Sequence, residues 1–444
     1  MIYVVQQGDR LPQLAQRFGV SQARLRSDNG LGSDQPLVPG QALAVLVPTA
    51  TYTVRPGDTL WGIARQTGVP LRQLLQYNPT LTQGHPLSPG EVLTLALAGE
   101  REGHLSVGGY AYPHVLPGVL RQALPFLTTL SVFSYGFQGD GTLVVPEDRA
   151  LLAEAQRFRV GAMLVLTSMD ESGNFSSQRA AQLFQDQALQ DRVLDELVAI
   201  LLEKGYQGLD VDFEYIARGD RAAFLAFLGN ARDRLHQVGL SLHVDLAPKT
   251  HPDQEGLLYE GHDYGAVGTI ADSVLLMTYE WGYAYGLPMA VAPLPQVAQV
   301  VRYAVTEIPP GKIQLGIPNY GYDWPLPYVA GQSRARSLSS QQAVALARRY
   351  GAAIQYDSQA QAPWFRYTDD QGRQHEVWFE DARSIQAKLA LVPQYGLWGV
   401  GYWNLMREFP QTGGCSTACT TSGSGKISPA PACSIIVALL ILCP

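Results

Sequence analysis

Gly208-Leu209-Asp210-Val211-Asp212-Phe213-Glu214-Tyr215 is an apolar run interrupted at every second position by a carboxyl group. Successive side chains of a strand alternate faces, so Asp210, Asp212 and Glu214 share one face while Leu209, Val211 and Phe213 take the other. Three carboxyls this close cannot all ionise freely, and one should hold a proton. A general acid working near neutral pH needs that situation. Two other readings compete: a solvated edge strand with alternating charge, and a carboxylate metal site, since hard cations favour oxygen ligands. The flanking apolar content argues against the edge. No histidine or further acidic cluster is read nearby to support a metal, so neither a metal nor a cofactor is expected.

Working outward, this run is the fourth of eight of its kind: Ser106–Pro113, Thr128–Phe137, Ala162–Met169, Gly208–Tyr215, Leu240–Pro248, Ser273–Glu280, Ile313–Gly321 and Leu397–Trp403. Helical stretches separate them. Near-continuous apolar runs suit strands buried on both faces, and eight of them predict an α/β fold, a (β/α)8 TIM barrel over 103–410. The three carboxyls then lie at the C-terminal end of the fourth strand, where barrel active sites are built. Between the seventh and eighth runs, Trp364-Phe365-Arg366-Tyr367 and Glu376-Val377-Trp378-Phe379 flank the turn Asp369-Asp370-Gln371-Gly372. This predicts a hairpin in a small inserted α+β lobe, about 325–380, walling one side of a cleft.

The first hundred residues contain an internal repeat. Tyr3-Val4-Val5, Gly8-Asp9, Leu11, Ala15, Gly19-Val20, Leu25 and Asn29 recur at a constant offset as Tyr52-Thr53-Val54, Gly57-Asp58, Leu60, Ala64, Gly68-Val69, Leu74 and Asn78. Pro39-Gly40 and Leu43 return as Pro89-Gly90 and Leu93. Such self-similarity means two copies of one module, 1–48 and 50–98. Each reads as strand, turn at Gly-Asp, two helices and a closing strand, with Asp58 or Thr59 where a helix cap belongs. This βααβ pattern resembles the LysM module, which binds N-acetylglucosamine (GlcNAc) units of peptidoglycan and chitin. The resemblance implies a sugar groove between the Gly57, Asp58, Thr59, Leu60 turn and the segment following Asn78-Pro79, with Gly8, Asp9 and Asn29 in the equivalent places of the first copy. The first copy departs at Arg10 for Thr59 and Pro12 for Trp61, which puts its affinity below that of the second.

Composition narrows the partners. Lys+Arg 32 against Asp+Glu 39 leaves a net charge of −7, with 16% charged residues, so the basic surface that nucleic acid requires is missing. The N-terminus lacks the basic segment and apolar run of an export signal, and Ile435–Leu442 is about half of the roughly 20 residues that span a bilayer. Neither export nor a membrane partner is expected. A monomer is the expectation.

Over most of 103–410 the chain resembles the family 18 glycoside hydrolases. Asp210, Asp212 and Glu214 fall on the D-x-D-x-E motif of that family, Met277-Thr278-Tyr279 looks like its Met-x-Tyr motif, Trp403 occupies the place of the tryptophan beneath the cleaved sugar, and Tyr110 is similar to a first-strand tyrosine lining the same subsite. Glu280, Trp281 and Asn319 are expected to line the substrate as well. The resemblance implies a substrate-assisted, retaining mechanism, an exception to the two-carboxylate scheme. Glu214 would protonate the glycosidic oxygen while the 2-acetamido carbonyl of the substrate attacks the anomeric carbon. Asp212 would hold the acetamido N–H, Asp210 would orient Asp212, Tyr279 would donate to the acetamido oxygen, and Trp403 would form the floor.

Two departures, Thr167-Ser168-Met169-Asp170 for the Ser-x-Gly-Gly of chitinases and Glu280 for their usual Asp, point away from chitin. With the Ala247-Pro248-Lys249 and Tyr259–Tyr264 segments and the paired modules, they resemble the spore-associated branch, N-acetylglucosaminidases acting on cortex peptidoglycan fragments during germination. The expected location is the spore coat or cortex, or the cell wall, and the alternatives are a chitinase and a non-catalytic wall-binding or coat protein. Finally, the four cysteines all lie from Cys415 onward, in a Ser/Thr/Gly-rich tail, 411–444, without helical periodicity. A barrel should close with an amphipathic helix there. The expectation is a disordered or out-of-frame tail and an improvised closure.

Overall fold

In the computed structural model, residues 1–411, 417–419 and 433–435 are described, apart from 34, 84, 85, 100–102 and 171. The two modules come first. β1 (Ile2–Val4), α1 (Leu11–Phe18), α2 (Gln22–Asn29) and β2 (Ala42–Ala44) form one; β3 (Pro48–Thr53), α3 (Leu60–Thr67), α4 (Leu71–Tyr77) and β4 (Val92–Leu97) form the other. In both, the outer strands pair antiparallel around a small core, Leu14, Leu25 and Leu43 in the first and Ile63, Leu74 and Leu93 in the second. Thr59 is the cap of α3, its Oγ1 accepting from the Gly62 N–H at 3.0 Å. In the first module Arg10 stands at the cap position and makes no side-chain cap bond.

The barrel strands are β5 (Gly103–Ala111), β6 (Thr129–Phe137), β8 (Gly161–Thr167), β9 (Gly208–Asp212), β10 (Ser241–Leu246), β11 (Ser273–Leu276), β12 (Ile313–Pro318) and β18 (Gly399–Trp403); β7 (Leu143–Val144) is a short strand returning on β6. All eight neighbours run parallel, and β18 bonds back to β5, closing the cylinder. Helices α5 (Pro117–Ala123), α6 (Arg149–Phe158), α7 (Ser177–Gln185), α8 (Gln187–Lys204), α9 (Arg221–Gln237), α10 (Tyr264–Ile270) and α11 (Leu294–Glu307) fill the connections. Every expected run holds a barrel strand, most ending a few residues short where the chain enters a loop, while β5 begins earlier, at Gly103, and the seventh run also takes in the start of the next strand, at Tyr320. The outward residues of β9 explain its register: Leu209, Val211 and the following Phe213 join the layer between strands and helices, where Phe213 packs on Phe184, Phe224 and Phe227. A one-residue slip would turn the carboxyls into this apolar layer.

Between β12 and β18 the inserted lobe is a five-stranded antiparallel sheet, β13 (Tyr320–Pro325), β14 (Arg336–Ser339), β15 (Gln355–Asp357), β16 (Ala362–Thr368) and β17 (Gln374–Trp378), with α12 (Ser340–Arg349) beside it; α13 (Ala382–Leu389) and α14 (Leu391–Tyr395) then lead into β18. β16 and β17 are the expected hairpin. The lobe begins at Tyr320, earlier than the sequence indicated, because the chain leaves the barrel directly into β13. A buried ion pair, Lys388 Nζ to Glu380 Oε2 at 2.8 Å, ties the return segment to α13.

Both modules pack on the rest of the chain. The first lies on the lobe: Val38 joins the lobe core, the Ile354 N–H donates to Pro39 O at 2.9 Å, and Arg348 Nε donates to Pro36 O at 2.9 Å. Gly40 (φ 83°) makes this approach possible, since a Cβ there would lie 1.7 Å from Ile354 O. The second module reaches the barrel through Arg72 Nε and Gln76 Nε2, both donating to Pro125 O at 2.8 Å. Arg24 joins the modules, donating to Tyr77 O at 2.6 Å and Thr94 Oγ1 at 2.9 Å.

Among the described residues no helix follows β18. The outer sides of β5 and β18, at Val107 and Tyr402, instead face a cavity of about 330 Å³ shared with α5 and with Arg26, Leu31 and Thr80 of the modules. Gln411 Nε2 donates to Asn29 Oδ1 at 3.0 Å and Ala42 O at 2.7 Å, so the segment that follows β18 is bonded into the first module. Of the tail, β19 (Thr417–Cys419) and β20 (Cys433–Ile435) pair together, and β20 runs antiparallel to β5 with Cys433 opposite Leu105. The remainder of that segment lies outside the described residues.

Candidate active site

Asp210 and Asp212 end β9 on the inner face of the barrel, flanked by β8 and β10 and both buried. Glu214 lies two residues beyond the strand, in the turn that follows, so the trio is two strand carboxyls and one loop carboxyl. Burial raises the proton affinity of all three. For Glu214, burial first and then the charge of Glu280 push the pKa up to about 7. Asp212 is raised well above the usual carboxylate range by burial, then by the charges of Glu214 and Asp210. Asp210 is raised by burial, against the opposing effects of His243, Tyr110 and Ser131; Ser131 Oγ donates to its Oδ2 at 3.1 Å.

The expected absence of any histidine or further acid near this motif is overturned. His243 and Asp245 stand on the inner face of β10, with His243 directly beside Asp210 in register. Asp210, His243 and Asp245 each bring a ligand-type atom within 4.8 Å of the others, a set that could hold a cation by residue type. Its carboxylates already accept hydroxyl hydrogen bonds from Ser131 and Tyr110, which also suits a proton-sharing cluster. The sequence conceals this arrangement because it depends on strand adjacency.

Aromatic residues line the bowl. Trp403, at the end of β18, has Tyr110 at 5.9 Å, Phe133 at 4.8 Å and Tyr112 at 6.1 Å between ring centroids, and Met277 packs in the same cluster. Tyr279 is raised well above the usual tyrosine range by burial and then by Asp245 and Asp212, so its hydroxyl remains a donor. Gly316 makes room for that ring: a Cβ there would be 2.9 Å from Tyr279 Cε1. Glu280, in the left-handed region (φ 66°), turns to the lobe, where Tyr320 donates to Oε1 and Tyr322 reaches both oxygens at 3.1 Å. Phe133, Tyr112, Tyr320 and Tyr322 were not read from the sequence as site residues.

One expected substrate residue stands apart. Asn319 continues the outward alternation of β12; its Nδ2 donates to Asn404 O at 2.6 Å, and it lines the cavity at the modules. Trp281, also expected there, is half-buried beside Tyr279 against the barrel's apolar cluster, and its backbone N–H donates to Val291 O at 3.0 Å.

In the modules, Gly8 and Gly57 sit at exposed turns. Asp9 and Asp58 are braces, accepting from Tyr3 Oη at 2.7 Å and Tyr52 Oη at 2.9 Å and from the N–H groups of Gln6 and Arg55. Asn29 and Asn78 are buried, and their amides close the modules: Nδ2 of each donates to two backbone carbonyls and Oδ1 accepts from Ala44 or Thr94 N–H. Both amides are thus engaged by the backbone of their own module. Thr59 caps its helix, Leu60 packs on the module core, and Pro79 opens a single 3-10 turn to 83.

Comparison with known proteins follows the same division. The family described as Glycosyl hydrolases family 18 matches residues 118–408, and the LysM domain matches 3–45 and 52–96. The chain is 45% identical over 312 residues to the cortical fragment-lytic enzyme of Bacillus subtilis (strain 168), covering 70% of this chain and 72% of that protein. It is 39% identical over 417 residues to the cortical fragment-lytic enzyme of Bacillus anthracis, covering 92% and 96%. The solved structure of the Bacillus cereus spore cortex-lytic enzyme SleL superposes with a TM-score of 0.78 at 38% identity, covering 93% of this chain and 96% of that one.

Proposed function

The chain belongs to the family 18 glycosyl hydrolases and carries two LysM domains, and from that premise we propose that it hydrolyses the β-linkage of N-acetylglucosamine in spore cortex peptidoglycan fragments, with retention of configuration. The observation that carries the reading is Glu214: a carboxyl whose pKa is pushed up to about 7, beside the buried Asp212. Below that pH it holds a proton to give to the glycosidic oxygen.

The chemistry then follows from the neighbours. The 2-acetamido carbonyl of the substrate attacks the anomeric carbon, so no protein nucleophile is needed. Asp212 accepts the acetamido N–H, Asp210 keeps Asp212 oriented, and Tyr279 donates to the acetamido oxygen. Trp403 supports the sugar face, a stacking arrangement that aligns the ring for attack. Once the leaving group departs, Glu214 is the base that takes a proton from water. The cortex enters from the named relatives, both cortical fragment-lytic enzymes, and the LysM domains would hold the enzyme on GlcNAc-containing glycan.

The test is incubation with cortex muropeptides and, separately, chitin oligosaccharides, followed by mass spectrometry of the new reducing ends. New GlcNAc reducing ends from muropeptides support the proposal. Cleavage of chitin oligosaccharides alone would reassign the substrate, and cleavage of neither would leave a wall-binding protein.

A further inference from the structure

Asp245 is a buried carboxyl that the scheme above does not use. It lies on the inner face of β10, and its Oδ1 accepts from Tyr110 Oη at 2.7 Å, a contact that crosses the barrel from β5. His243 Nε2, two residues back on the same strand, is 3.7 Å from that oxygen. His243 Nδ1 is in turn 2.7 Å from Ser273 Oγ.

The groups facing Asp245 are Asp210 and Asp212 from β9, Glu214 beyond it, His243 on its own strand, Tyr110 from β5 and Tyr279 beyond β11. Four carboxyls and a single imidazole share this cluster, and burial holds the imidazole below its usual pKa, toward the neutral form. Four negative charges therefore cannot persist here. Asp245 is raised well above the carboxylate range by burial first, then by Asp210 and Asp212. With Tyr110 donating to one oxygen, a protonated Asp245 has an O–H of its own to give. Asp210, whose Oδ1 is buried without a partner, lies within the same 4.8 Å cluster.

We propose that Asp245 is a positioning residue for this reaction: it stores a proton in the floor of the site and, between Tyr110 and Asp210, sets how the remaining negative charge is divided over Asp210 and Asp212. It thereby keeps Asp212 ready to accept the acetamido N–H. The inference rests on the glycosidase reading for its catalytic half and on the cluster geometry alone for its protonation half.

The experiment has two arms on the full-length protein. Infrared difference spectra near neutral pH, wild type against Asp245→Asn, are expected to show a protonated-carboxyl C=O band that disappears in the variant and shifts in Tyr110→Phe. No such band, meaning an ionised Asp245, overturns the proposal. This arm uses no substrate, so an inactive wild-type protein would count against the glycosidase reading and leave the stored proton to be judged by the band.

The second arm is the pH profile of kcat/KM on muropeptides. Asparagine keeps a neutral donor, so Asp245→Asn is expected to lose about tenfold or less and to keep the position of the basic limb. Asp245→Leu has no donor, and about a hundredfold loss is expected from the misplaced aspartate pair. If Asp245 were instead charged, asparagine would remove a negative neighbour of Glu214 and pull the basic limb down by about one unit; that result, or equal activity in the two variants, refutes the assignment.

Discussion

Glu280 and Glu214 leave the barrel from different strands, yet they are coupled: burial is the larger cause of the rise of Glu214 to a pKa of about 7, and the charge of Glu280, clasped by Tyr320 and Tyr322, adds to it. Burial raises the proton affinity of Glu280 and the two tyrosine hydroxyls oppose that rise, so the lobe that supplies both tyrosines reaches into the acid chemistry of the barrel.

The pH dependence of the reaction should report this relationship. Glu214 works as an acid only while protonated, so kcat/KM on soluble muropeptides is expected to fall as pH rises through about 7. Glu280→Gln removes the raising charge, and the basic limb should move to lower pH. A limb that stays in place or moves upward would contradict the coupling.

Glu214→Gln is expected to lose at least about a hundredfold in kcat, in the range usual for a general acid, while still sedimenting with insoluble cortex. Retained turnover would remove Glu214 from the role.

Adsorption to the wall should depend on the second LysM domain more than the first. Trp61, 58% exposed on α3 with the Arg65 guanidinium 4.8 Å from its ring centre, offers an open face for a sugar, where the first module has Pro12. Trp61→Ala is expected to weaken adsorption to insoluble cortex by about 0.5–1.5 kcal/mol, read from sedimentation isotherms.

Stability has its own test in the ion pair of Lys388 and Glu380, whose side chains are 0% and 1% exposed. Lys388→Met leaves a buried carboxylate without its partner, so a loss of about 3–5 kcal/mol is expected in denaturant unfolding. A loss under about 1 kcal/mol would show that Glu380 simply takes up a proton.

The sequence made the barrel and its carboxyl cluster legible because both are written as periods: eight apolar runs, and carboxyls at every second residue of the fourth. His243 and Asp245 follow the same alternation inside Leu240–Pro248, but nothing in that run shows that Tyr110, far earlier in the chain, closes over Asp245. Asn29 and Asn78 mislead for a related reason. An asparagine bonded to the backbone of β2 or β4 and one offered to a sugar are the same letter, and only burial separates them. Asn319 was expected at the substrate, but it continues the outward alternation of β12 and lines the cavity at the modules. Thr59 was one of two candidates for a helix cap, and its neighbour Asp58 is instead held by Tyr52.

That no helix follows β18 among the described residues has a thermodynamic consequence. With the modules bonded to Pro125, the lobe and Gln411, and facing the open side of β5 and β18, anything that binds the folded modules also weighs on the folding equilibrium of the barrel. The wall would then act as a stabilising ligand for the enzyme that digests it, and the enzyme would lose that support as its substrate is consumed. Removing the modules would lower the melting temperature of the barrel as well as its adsorption.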